Sequence, residues 1–328
     1  MRTLLQVPTG HETPSVSPSF PVLPPEDLWR HAPDAHWVVV DDHQGAVARC
    51  SLWWSNTPSL EDHSLGVIGH YAASDAEAAA LILQHAAQQL AARRCPLAVG
   101  PMDGNTWRRY RFVTDRGTEP VFFLEPDNPD SWPAHFLAEG FEVLASYTSA
   151  LNPDLEQQEP RMPEVKTRVA DAGVTIRAAR PQVEAELPAI YAISRVSFQN
   201  NFLYTPIEEQ EFLAQYHKTL PYVRNELVLI AEHNGKPVGF SFAIPDLLEA
   251  QRRPTIETII VKTVAVLPGL VPGLGSLLVA LTQEHARQLG YRRAIHALMH
   301  ETNKSRKISN RYGHTIRQYS LFSKRLTP

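Results

Sequence analysis

The period of apolar and polar positions changes several times along the chain. Residues 36–41 (HWVVVD) and 46–54 form short β-rich runs around the turn DDHQG, and with Gly45 in the turn they predict a hairpin. A third strand is expected over 65–71. The period then becomes helical. From 75 to about 94, Leu81, Ile82, Ala86 and Leu90 share one face, with Ser74 or Asp75 as cap, which predicts a helix before a short strand at 97–100. The second half repeats the plan. Strand 174–177 precedes a helix over 182–198, where Pro188 predicts a kink or a late start, and a helix over 208–219. Strands 227–232 and 237–244 flank Asn234-Gly235, a strong hairpin signal. A long strand (255–267), a helix (275–289), a strand (293–300), a helix (304–312) and a final strand (315–324) complete the order. Strands alternating with helices, with hairpins among them, predict mixed sheets and an α/β (α+β) class.

Length and composition add domain limits. The 328 residues suit two domains, and 43% hydrophobic residues can fill two cores. Residues 1–25, rich in Pro, are expected as a mobile tail, 26–152 as a first domain, 153–173 as a charged, Pro-containing linker and 174–328 as a second domain. The formal net charge of -4 excludes the concentrated basic surface that nucleic acids or anionic membranes select. Cys50 and Cys95 stand alone in apolar contexts and give neither a disulfide framework nor a metal spacing. The fourteen histidines show no HExxH pattern, so no metal is expected. The first 25 residues lack the apolar core of a signal peptide and no run is long enough to span a membrane, so a cytoplasmic setting is expected.

The chemistry concentrates in residues 259–289, IIVKTVAVLPGLVPGLGSLLVALTQEHARQL. A β-rich strand feeds a loop with Gly269, Gly273 and Gly275, and a helix starts at the loop's end. Glycines let a ligand approach the backbone, and a helix N-terminus attracts a diphosphate. No Lys follows GLGS, so a P-loop is excluded, and the dinucleotide GxGxxG spacing is absent.

The run VAVLPGLVPGLGSLL resembles the cofactor loop of the GNAT (GCN5-related N-acetyltransferase) family, and HETNKSRKISNRYG resembles its second, Asn-containing motif. The resemblance implies two tandem GNAT-like domains, each a twisted mixed sheet flanked by helices. It implies acetyl-CoA as cofactor, with Val264, Ala265 and Val266 along the pantetheine arm. Val271, Gly273, Leu274, Gly275 and Ser276 would lie at the pyrophosphate. Asn303, Ser305 and Arg306, with Lys304, Lys307 and Arg311, would lie near the adenosine end. Leu270 stands where the family has a basic residue, and Ser309 where it has a tyrosine.

Amide formation from a thioester needs a base for the amine and an acid for the leaving thiolate. Glu257, facing as residues 259 and 261 do, is the expected base; Tyr312 and Tyr319 compete as the acid. The first half has AASDAEA where a phosphate loop would be, so its chemistry is expected to be missing. Trp107 and Arg109, in GPMDGNTWRRYRFV, are expected to close an acceptor pocket from that half. The resulting expectation is an acyl-CoA-dependent N-acyltransferase, an N-acetyltransferase acting on a small amine, with homodimerisation left open. The alternative is a non-catalytic acyl-CoA sensor or scaffold.

Overall fold

The first β-rich runs pair as their turn predicts. In a computed structural model that describes residues 1–8, 20–61, 63–157, 159–217 and 219–327, and every side chain among them but that of Lys304, β2 (Ala35–Asp41) and β3 (Gly45–Trp53) form an antiparallel hairpin. Gly45 sits in its turn at φ 73°, which costs glycine no Cβ clash. Two short strands, β4 (Ser59–Leu60) and β5 (His63–Ser64), pair only with each other. β6 (Gly66–Ala73) takes the free edge of β3. α2 (Ala76–Ala92) then crosses to β7 (Leu97–Gly100), parallel to β6. Its Ile82 and Leu83 are fully buried, each worth about 1.5–3 kcal/mol relative to exposure.

Part of the expected mobile tail is ordered. β1 (Arg2–Gln6) pairs with β2, because that edge was vacant and Arg2 gains Asp75 at 2.8 Å. α1 (Pro25–His31) follows with proline in its first turn, where the missing N–H costs nothing. Residues 9–19 of that tail lie outside the described residues. β8 (Phe112–Asp115), α3 (Ser131–Ala138) and β9 (Glu142–Asn152) complete the first half. The stretch expected as a linker carries α4 (Met162–Asp171), whose Val165 and Val169, one turn apart, are buried in the cluster that holds Leu274 and Leu277.

In the second half β10 (Val174–Ala178) leads through a 3₁₀ turn to α5 (Leu187–Phe198), the late start that Pro188 imposes. After α6 (Glu209–His217), β11 (Val228–His233) and β12 (Lys236–Pro245) pair across Asn234 and Gly235 at φ 52° and 72°. β13 (Thr258–Val266), α7 (Leu274–Gln288), β14 (Arg293–His300), α8 (Lys304–Ser309) and β15 (His314–Arg325) follow.

The mixed sheet does not stop between the halves. Its order is β1-β2-β3-β6-β7-β15-β9-β14-β13-β12-β11-β10, with β8 also on β15. β9, from the first half, lies against β14; β15, from the second, lies between β7 and β9. Among the described residues no helix is long and apolar enough to cross a membrane.

Candidate active site

β13 and β14 pair over four positions only, from Thr258↔Arg293 to Val261↔His296. Beyond these, β13 stays with β12 as far as Val266↔Gly239, while β14 stays with β9 as far as His300↔Tyr147. Two irregularities part them. β13 bulges opposite Phe242 and Ala243, and β14 shifts register between His296 and Met299, where Leu298 has φ 61°. The edge of β13 from Lys262 to Val266 therefore keeps backbone groups without a strand on that side. Such an edge accepts an extended, amide-bearing chain.

The chain next turns into α7 without a side-chain cap. Gly273, at φ 98°, needs to be glycine: a Cβ there would also lie 2.8 Å from Val165 Cγ1. The amide of Leu277 donates to the Gly273 carbonyl at 2.9 Å, whereas those of Gly275 and Ser276 donate to no backbone oxygen among the described residues. Open donors at the positive end of a fifteen-residue helix suit an anion. Gly275 is different from Gly273, because a Cβ would meet nothing closer than Val264 and Val266 side chains at 3.9 Å.

No family model and no curated protein sequence matches this chain, but solved structures match its fold. A tandem GNAT protein from the clavulanic acid biosynthesis pathway aligns over 100% of this chain and 99% of its own, at TM-score 0.53 and 12% identity. A GCN5-related N-acetyltransferase from Sphaerobacter thermophilus aligns over 93% and 86%, at TM-score 0.51 and 14% identity. The GCN5-related glucosamine N-acetyltransferase region of a fungal multi-domain GH3 β-N-acetylglucosaminidase aligns over 99% of this chain, at TM-score 0.55 and 14% identity. This chain spans 38% of that protein's length. The chain has the GNAT fold. Identities this low carry the fold and its tandem arrangement, not the chemistry.

Within this GNAT fold the expected cofactor residues fall into two groups. Val264, Ala265 and Val266 lie on β13 beyond the parting, Val271 in the loop, and Gly273, Leu274, Gly275 and Ser276 at the cap and first turn of α7. These form one continuous path. Asn303, Ser305 and Arg306 begin α8 on the far end of β14. There Asn303 Oδ1 accepts the Ser305 amide at 3.1 Å and caps the helix, and Arg306 Nη1 donates to the Glu301 carbonyl at 3.1 Å. Ser305 Oγ is buried without a partner. The Lys304 side chain lies outside the described residues.

The two tyrosines separate clearly. Tyr319 is wholly buried and its hydroxyl is committed, donating to Glu125 and lying 3.0 Å from Ser149 Oγ. Glu125 in turn holds the buried Arg317 guanidinium at 2.8 Å. Burial, then the Glu125 charge, holds the Tyr319 phenol well above its usual range. Tyr312 is buried with its hydroxyl unpartnered. Its ring lies 6.0 Å from that of His296, the residue of β14 at the parting. His296 Nδ1 meets Ser309 Oγ at 2.7 Å, so the serine that stands where the family has a tyrosine orients this imidazole. His296 Nε2 is likewise unpartnered. Burial lowers His296 to about 4 and raises Tyr312 to about 12, so the first is neutral and the second protonated near pH 7.

Glu257 is not brought to this place. It precedes β13, at the paired end, and is tied to Arg253 at 3.4 Å. Five residues of strand put it about 16 Å from Lys262. Periodicity did not show that β13 begins only after Glu257. Sequence reading missed His296 and Lys262; the one visible signal was a lysine inside the apolar run IIVKTVAVL.

The first half has the same parting, and the chain fills it. β6 and β7 pair only at Gly66↔Ala98 and Val67↔Val99. Met102 then donates its amide to Ile68 O at 2.8 Å, and the His70 amide donates to Asp103 Oδ1 at 2.6 Å. The start of α2 is also closed: Asp75 accepts the Ala78 amide at 2.9 Å and pairs with Arg2. Where no metal pattern was expected, the fold gathers His31, His70 and Asp103, with ligand atoms within 4.8 Å. His31 Nδ1 and His70 Nε2 are 2.8 Å apart. Two tetrahedral zinc ligands would stand about 3.3 Å apart, so the imidazoles bond to each other here. Ser51 Oγ joins His70 Nδ1 to His36 Nδ1, each at 2.8 Å. Burial lowers all three imidazoles to about 3.

The loop between β7 and β8 reaches the other half. Trp107 Nε1 donates to Thr205 O at 2.7 Å and Arg108 pairs with Glu211 at 2.7 Å. Arg109, by contrast, donates to the Asp127 carbonyl of its own half.

Proposed function

We propose that the second half binds an acyl-CoA along the β13 edge and transfers its acyl group to a small amine. The observation that supports this most is the continuity of the open β13 edge with the free Gly275 and Ser276 amides. The residues fit such a ligand: an edge for its amides, free donors for its diphosphate, and space above Gly275 where a Cβ would otherwise stand. When bound, the ligand would supply an activated thioester. As the C–N bond forms and the C–S bond breaks, the Tyr312 hydroxyl, protonated and unpartnered, would give its proton to the leaving sulfur and take up the proton released by the amine nitrogen. His296, set by Ser309, presents a neutral imidazole to the Tyr312 ring. The peptide edge of β13 aligns the carbonyl against the opening.

Two variants of the full chain test this. Gly275→Asp places a carboxylate where the diphosphate would sit, and coenzyme A affinity should fall about 10²-fold or more by calorimetry. The fold should hold, since an acid in the first helical turn is favourable. Failure of the unaltered chain to bind coenzyme A would end the proposal. Tyr312→Phe should lower kcat for thiol release from acetyl-CoA by about 10²- to 10⁴-fold with coenzyme A affinity unchanged. Binding without turnover across a panel of amines would favour the sensor reading.

A further inference from the structure

Two cations flank the opening from opposite halves, Lys262 on the β13 side and Arg111 over Tyr147, the β9 partner of His300, and among the described residues neither has an anionic partner. Lys262 is the extra residue of the β13 bulge: Phe242 pairs with Thr263 and Ala243 with Val261, leaving it without a cross-strand neighbour. It is half-buried and directly follows Val261, the last residue of β13 that pairs with β14. Burial, then the nearby Arg111 charge, lowers its amine to about 8, with no carboxylate acting against them.

Arg111 comes from the first half, just before β8. Its backbone is left-handed at φ 66°, and the residue is 6% exposed. A non-glycine residue held there marks a position the surroundings over-determine. The guanidinium lies 4.0 Å from the Tyr110 ring centre and 4.3 Å from that of Tyr147, and Nη1 donates to the Tyr110 hydroxyl at 2.8 Å. Its Nε is buried with no partner. Among the described residues neither Arg111 nor Lys262 forms an ion pair. Tyr147 also faces His300, at 4.9 Å between ring centres, and Phe202 stacks on His300 at 5.2 Å. Arg111 therefore sits in an aromatic surround at the junction of β9, β14 and the loop after α5.

Like charges brought together out of water are unfavourable unless an anion joins them. An acceptor must place its nitrogen at the parting, one residue from Lys262. We infer that the acceptor amine carries an oxyanion, a carboxylate or a phosphate, held between Lys262 and Arg111. This rests on the reading of the opening as the acyl-transfer site, and it narrows "small amine" to amino acids and aminoalkyl phosphates.

The test uses the full chain and needs no turnover. N-acetylated amino acids, N-acetylated aminoalkyl phosphates and the matching neutral amides are titrated calorimetrically, with and without saturating coenzyme A. At least one oxyanion series should bind ten-fold or more tightly than its amides, and the better series identifies the group. Lys262→Met should remove that preference and raise the melting temperature of the ligand-free chain, because a buried uncompensated charge is gone. Arg111→Gln should remove the preference too. Equal binding of acids and amides, no binding of either, or a preference that survives Lys262→Met would overturn the inference. Absent coenzyme A binding with the oxyanion preference intact would instead strike only the acyl-transfer reading.

Discussion

In the first half the chain itself fills the parting of β6 and β7, while in the second half the parting of β13 and β14 stays open. Met102 and Asp103 cross the first gap and hydrogen-bond to Ile68 and His70; at the second, Val261 and His296 are the last pair. The helix that follows each gap tells the same story. α2 begins on an aspartate that caps it and is neutralised by Arg2, whereas α7 begins on glycine with two amides that have no backbone acceptor among the described residues. The two gaps thus differ in whether polar groups are left unsatisfied or are met by a few residues of the chain itself.

The sharpest test of this contrast exchanges two glycines for alanine. At Gly69 a Cβ would lie 2.1 Å from the Met102 carbonyl oxygen, a backbone clash with no flexible partner to yield. Gly69→Ala should cost more than about 4 kcal/mol, beyond the ordinary range, and leave the chain largely unfolded by circular dichroism. Gly275→Ala should instead leave stability unchanged or raise it by up to about 1 kcal/mol, through helix propensity. A tolerated Gly69→Ala would mean that the first gap is not held shut as described.

Acid should act on the filled gap. His70, whose side chain is 2% exposed, has a folded value lowered to about 3 by burial and by Arg49 and Arg108. Below pH 6.5 the unfolded chain takes up a proton there that the folded chain refuses. Stability is therefore present above about pH 6.5 and lost as pH falls towards 3. Asp103, raised by burial, acts in the opposite sense over the upper part of its own range. In urea titrations between pH 6.5 and 4, His70→Gln should flatten the slope by about 1.4 kcal/mol per pH unit. An unchanged slope would show His70 titrating normally. The smallest effect concerns the cap. Asp75→Ala should cost about 1 kcal/mol, a fall of about 2–4 °C in melting temperature. No coenzyme A site should appear at α2, because the gap beside it remains filled.

Local chemistry explains which features the sequence made legible. The β2–β3 and β11–β12 hairpins follow from alternation and from Gly45 and Asn234-Gly235, and α7 from glycines ahead of an apolar face. Such signals lie within a few residues of the element they specify. The pairing of β9 with β14 and of β7 with β15 joins residues far apart in the chain, and nothing local records it. The same holds for the site. Gly273 and Gly275 were visible as closely spaced glycines ahead of an apolar helix face, although the backbone requires glycine only at Gly273. Lys262 and Arg111 flank one opening only through the tertiary fold, and Glu257 falls just before β13, tied to Arg253, which the period of the run does not record. Tyr312 and Tyr319 were indistinguishable in sequence, since which hydroxyl has a partner depends on Glu125 and Ser149 arriving from elsewhere.

The position of β15 carries a consequence for how the molecule is made. The lane between β7 and β9 belongs to the first half, yet its occupant spans residues 314–325. During synthesis at about 5–20 residues per second, that lane stays vacant for about 9–35 s after β9 has emerged. Two strand edges stand open throughout, each a template for pairing with another nascent chain. Closing them requires contacts between distant residues, which form slowly. A strand made long after β9 is thus the one that locks the first half, and release of the chain before that strand is made would leave an aggregation-prone sheet rather than a smaller working domain.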